Sequence, residues 1–183
     1  MMVTRWIRVG TLTGVLAAGA LMGCSGGNTS SPPSSPNLSA PSPPSSTSSS
    51  VDERQAVVTA YTQFWPRSVD AVERPESSWR RALAGIAAEP QLSTMVDAMQ
   101  RQKAAGIATY GEVAVRISSV EVSGSTANVV DCQDGSHTGQ ADARTGAKKT
   151  VGVARMPVRA ALIRDAADGK WKVSRIEFPG GAC

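Results

Sequence analysis

His137 is the only histidine among 183 residues, so any serine or cysteine nucleophile that needs an imidazole base must act through it. It lies in Asp134-Gly135-Ser136-His137-Thr138-Gly139, a polar stretch that reads as a solvated loop in which a base is hard to hold in one orientation. The chain contains no Gly-x-Ser-x-Gly elbow, no His-Glu-x-x-His pair and no phosphate-binding glycine loop with Lys. Asp131, Asp134, His137 and Asp142 are side chains of the kind that hold cations, but their spacing departs from the EF-hand loop and a polar turn accounts for them. Of the three cysteines, Cys24, Cys132 and Cys183, the last two together with the one histidine fall short of the four ligands of a closed zinc site. No metal and no cofactor is expected.

An odd cysteine count in an exported protein suggests a free thiol unless one of the three is chemically different. Cys24 has the flanks for that. Met1 to Arg8 is short and basic, and Val9 to Met22 is uncharged and rich in Val, Leu, Ala and Gly, which is the order of a secretory signal. The apolar run is shorter than the roughly 20 residues that span a bilayer. Leu21-Met22-Gly23-Cys24 resembles the bacterial lipobox, whose Cys thiol is diacylglycerated before cleavage, although Met22 stands where Ala or Ser is commoner. A plain signal peptide or a short uncleaved anchor is the competing reading. The resemblance implies a signal peptide over 1–23, acyl chains (palmitate) on Cys24, and a place on the extracytoplasmic face of the cell membrane, where two or three chains anchor stably.

Removing Arg5 and Arg8 with the signal lowers the formal charge from +4 to +2. That field is too weak to suggest nucleic-acid binding, and no nucleic acid is expected as a partner. Residues 24–50 are rich in Ser and Pro with a single Leu, and cannot bury enough apolar surface to offset chain entropy. They read as a disordered tether of about 30 Å reach.

The hydrophobic pattern starts at residue 51. Ser50-Val51-Asp52-Glu53 has the form of a capping box. Val57, Tyr61, Phe64, Trp65, Val69 and Val72 follow at helical spacing, with a kink expected before Pro66. A second helix is expected over about 78–88, and a third from Pro90 until Gly106 ends it. The period then changes to two. Strands are expected at 110–122, with a bulge at Ser118-Ser119, at 126–134, at about 150–165, with Pro157 at an edge or bulge, and at 170–178 after the Asp168-Gly169 turn. Residues 135–148 read as a loop. The fold class is α+β, three helices packed on a curved four-stranded antiparallel sheet over 51–183.

This order of elements, together with the lipobox, the Ser/Pro stalk, Val130-Asp131-Cys132, the Gly-Lys-Trp-Lys-Val strand and the terminal Gly181-Ala182-Cys183, resembles actinobacterial lipoproteins with an NTF2-like, cone-shaped domain. Such proteins face an oxidising compartment, so Cys132 and Cys183 are expected as a disulfide closing about 50 residues; the rival is a redox-active dithiol, whose cysteines normally lie two residues apart. NTF2-like folds enclose a pocket between helices and sheet, and some relatives use an Asp base with a Tyr donor there. Tyr61, Trp65, Trp79, Tyr110 and Asp131 are the candidates for lining it, with no catalytic role carried over. The expected function is a non-catalytic, membrane-anchored envelope lipoprotein that binds a partner protein or a small apolar ligand. An enzyme of the isomerase or dehydratase kind and an accessory module in envelope assembly are the alternatives.

Overall fold

The computed structural model describes residues 47–183, with side chains from Ser50 onward. The signal segment, Leu21-Met22-Gly23-Cys24 and the tether up to residue 46 lie outside the described residues.

Helix α1 (Thr47–Val72) begins four residues before the expected boundary at 51, inside the Ser-rich run. Its buried face is Val57, Tyr61, Phe64 and Ala71, a stripe at helical spacing. Ser50, expected as the cap, lies inside the helix, and Glu53 has partners on the sheet. The Glu53 carboxylate accepts from the Arg164 guanidinium at 2.6 Å and the Trp171 indole N–H at 3.1 Å, so it ties the start of the helix to the sheet. Pro66 is exposed, and the helix runs on through it. Having no N–H, Pro66 cannot donate to the Thr62 carbonyl one turn back.

A 3-10 turn (Glu76–Ser78) leads into α2 (Trp79–Leu83). The second helix is thus shorter than the expected 78–88. After Leu83 the chain turns at Gly85 and runs beside the last strand. There Val173 N–H donates to the Ile86 carbonyl and Ala88 N–H to the Val173 carbonyl, and these bonds replace further helix. Helix α3 (Gln91–Ala104) buries Leu92 and Met99. Gly106, at φ 64°, ends it in the left-handed conformation that favours glycine.

The expected first strand, 110–122, is two strands in different sheets. β1 (Ile107–Tyr110) stops at Gly111, whose φ is 74°, and β2 (Ile117–Ser123) starts six residues later. β3 (Thr126–Gln133) follows β2 across a hairpin. The expected loop 135–148 contains β4 (Gly139–Asp142), which pairs antiparallel with β1 in a small separate sheet. β5 (Met156–Arg164) begins after the expected residue 150, because residues around Gly152 bond instead to the Gly135–Thr138 turn. β6 (Trp171–Glu177) completes an antiparallel sheet of order β2-β3-β5-β6.

The Ser118-Ser119 bulge is present as a register shift between Ile117 and Ser119. Pro157 sits on an inner strand, at an end that β6 does not reach. Its lost donor costs no ladder bond there. Inward residues alternate along β3 as Ala127, Val129, Asp131 and Gln133, and along β5 as Val158, Ala160 and Leu162. Ala127, Val129, Ala160 and Leu162 join the α1 stripe, Leu83 and Met99 in one hydrophobic core, whose buried members run from Val57 to Val173. The described residues form a compact unit in themselves.

Candidate functional site

A cavity of about 700 Å³ opens between α1, α3, β1 and the irregular segment after Gly111. Trp65, Val69 and Val72 come from α1, Met95 and Met99 from α3, and Val113 from the segment after β1. Each is there for a local reason. Val69 and Val72 continue the apolar run of α1 past Pro66, and both are more than a third exposed. Met95 and Met99 stand four apart on one side of α3. Gly111 admits the turn that brings 112–115 to the wall, and a Cβ there would overlap the His137 carbonyl. The polar groups of the lining are few: hydroxyls of Thr62, Ser68, Thr109 and Thr138, and the carboxylates of Glu73 and Glu112. A ligand pocket has this size and this balance of apolar wall to polar group.

Of the five side chains expected to line a pocket, Trp65 does so. Tyr61 and Asp131 meet, but inside the core. The Tyr61 hydroxyl donates to Asp131 Oδ2 at 2.9 Å, the Arg116 backbone N–H donates to Oδ1 at 2.6 Å, and the two residues are 0% and 1% exposed. Burial first, and the Asp131 charge second, push the Tyr61 phenol far above its ordinary value, so it stays protonated. The Trp65 indole N–H lies near enough to the phenol to oppose this slightly, yet it is buried without a hydrogen bond of ordinary geometry. Trp65 also packs edge-on against Tyr61 and Phe64, so it forms the wall between core and cavity.

Trp79 is buried elsewhere. Its indole N–H donates to the Arg74 carbonyl at 2.8 Å and Lys103 lies over its ring. Tyr110 belongs to the small sheet, where its hydroxyl donates to the Thr150 carbonyl at 2.8 Å with Lys148 over the ring. Asp134 accepts from Ser136 and Arg116, Asp142 closes the turn at 144–145, and His137 is exposed. Among the described residues no three His, Cys, Asp or Glu side chains gather in a metal-holding cluster. Cys132 and Cys183 stand at disulfide distance, with sulfurs 2.09 Å apart and Cα atoms 5.7 Å apart.

Sequence reasoning missed Glu73, Glu112 and Thr62 in the wall. It also missed Gln133, which is fully buried with neither amide atom partnered. The available signal for the cavity was Val69 and Val72, apolar residues that continue the α1 stripe beyond a proline.

No protein-family model and no curated protein matches the chain. Solved structures do. The intermembrane space region of the chloroplast protein ARC6 matches with a TM-score of 0.53 at 12% identity, covering 70% of this chain and 97% of that one. A conserved protein from Planctomyces limnophilus DSM 3776 matches at 0.42 and 14% identity, covering 69% and 94%. A chain whose name carries the letters NTF2 matches at 0.32 and 8% identity, covering 73% and 99%. At such identities the likeness to the first of these is one of fold: helices on one face of an antiparallel sheet, in an α+β chain.

Proposed function

We propose that this protein is a lipid-anchored, non-catalytic lipoprotein on the extracytoplasmic face of the cell membrane, and that its domain, an NTF2-like cone, binds a small apolar ligand. Cys24 would carry the acyl chains, and the Ser/Pro segment would hold the domain off the bilayer. The ligand reading rests on the cavity of about 700 Å³ with its Trp, Val and Met wall. A module made only for protein contacts would fill that space and expose an apolar patch in its place. An isomerase or dehydratase needs an ionisable group facing its substrate beside a donor. Tyr61 and Asp131 have the right chemistry, but neither lines the cavity.

Two experiments test this reading. Ala98 lies in the cavity wall. Protein recovered from envelope extract is expected to bring apolar compounds into an organic extract, and Ala98→Trp to lose them while keeping its circular dichroism spectrum. Wild-type protein that takes up no apolar compound or fluorescent apolar probe overturns the ligand reading. For the anchor, Cys24→Ala is expected to leave the membrane fraction and to lose the mass of the acyl chains. A variant still membrane-bound with unchanged mass refutes the lipobox.

A further inference from the structure

Charge is distributed unevenly around this cavity. Its wall holds two ionisable side chains, Glu73 and Glu112, and both are acids. They come from separate elements, one just past the end of α1 and the other just past Gly111. Both are exposed, so they sit where the cavity meets solvent, while the half-buried and buried wall carries no charge and is apolar apart from Ser68 and Thr138. Among the described residues neither carboxylate has a hydrogen-bond or ion-pair partner, whereas nearby acids such as Glu76 and Glu89 are paired with Lys103 and Arg80. The C-terminal end of a helix carries partial negative charge from its unpaired carbonyls, and the last turn of α1 has no basic residue to balance it. Arg67 and Arg74, on either side of that last turn, line a separate cleft of about 300 Å³ with Asp70.

From this arrangement we infer that the cavity takes amphiphiles with a cationic head, an amine or quaternary ammonium on a hydrocarbon tail. This deepens the apolar-ligand reading and rests on it. The tail lies against Met95, Met99, Val69 and Val113, and the head stays at the mouth between the two carboxylates. There it keeps most of its hydration and gains their attraction. A fatty-acid carboxylate in the same position would face two like charges with no cation to receive it. The preference comes from the mouth alone, since the domain as a whole is weakly positive. The described residues carry all the formal charge except Arg5 and Arg8, leaving +2, so non-specific surface binding would favour anions.

The test is direct binding to the segment 43–183, which contains the whole core, read by calorimetry or by the tryptophan fluorescence to which Trp65 contributes from the wall, below micelle-forming concentrations. Decyltrimethylammonium, decanol and decanoate are compared at low salt. The expected order is ammonium first, with Kd about fivefold to tenfold below that of decanol, and decanoate weakest. The double variant Glu73→Gln/Glu112→Gln is expected to lose the preference for the ammonium over decanol, and added salt is expected to shrink that preference in the wild type. Equal or tighter binding of decanoate overturns the inference, as does an ammonium preference that survives in the double variant. If decanol binds without any preference among heads, the apolar-ligand reading stands and this inference falls. If none of the three binds, both fall.

Discussion

Asp131 and Tyr61 form a polar pair that folding has placed in an apolar interior. A buried carboxylate needs donors, and Asp131 receives one from Tyr61 and one from the Arg116 backbone. Removing the phenol leaves Oδ2 buried and unpaired, so Tyr61→Phe is expected to destabilise the domain by about 1.5–3 kcal/mol in urea unfolding. The same variant carries a pH signature. The Tyr61 proton is held far more tightly in the folded chain than in the unfolded one, where the phenol titrates near 10.0. Above about pH 10 the unfolded state therefore binds fewer protons than the folded state, and stability falls as pH rises. Below that value the contribution is fully present. Comparing wild type with Tyr61→Phe between pH 8 and 11 isolates it: the wild type is expected to lose stability faster. Parallel curves would mean that the phenol titrates alike in both states.

At the scale of elements, the parts that repeat apolar residues at a fixed period were legible from residues alone. Val57, Tyr61 and Phe64 mark α1, and Val129 with its neighbours at every second position marks β3. The small sheet was not legible. β4 is Gly-Gln-Ala-Asp, with one buried residue, Ala141, and its strand character comes from backbone bonds to β1 that no local pattern announces. The cavity was half legible for a related reason. Val69 and Val72 look like core positions in a helix read alone, and it is the space left between them, α3 and β1 that turns them into a wall. The small sheet depends on the turn at its end. Backbone N–H groups of Thr145 and Arg144 and the Lys149 ammonium hold the Asp142 carboxyl down at about 2. A carboxyl depressed in the folded state stabilises above its unfolded value, and that contribution is lost as pH falls from about 4 to about 2. Protection of the amides of residues 139–142, taken relative to the intrinsic exchange rate at each pH, is expected to fall across that window before protection in β3 does. Asp142→Asn is expected to show fast exchange there already at pH 6. Simultaneous loss of protection in both sheets would mean that they open as one unit.

Across the whole molecule, the C-terminal tail is the part with the least reason to stay in place. Residues 177–183 are exposed, two of them are glycines at positive φ, and the hydrophobic core ends at residue 173 among its buried members. What returns the tail to the domain is the Cys132–Cys183 link, spanning 51 positions, together with the Arg155 guanidinium on the Cys183 carbonyl. In the chain-entropy model, closing a loop of this size removes freedom from the unfolded chain and stabilises by about 3–4 kcal/mol. Cys132→Ser/Cys183→Ser is therefore expected to melt roughly 10 °C lower than the wild type, and wild type in strong reductant to fall to the same value. Neither cysteine lines the cavity, so apolar-probe binding at a temperature where both proteins are folded is expected to be unchanged. Joint loss of stability and binding would instead make the link part of the ligand site. An unchanged melting temperature together with two titratable thiols in the folded wild-type domain would show that the cysteines are not bonded, and would return the redox-active dithiol to consideration.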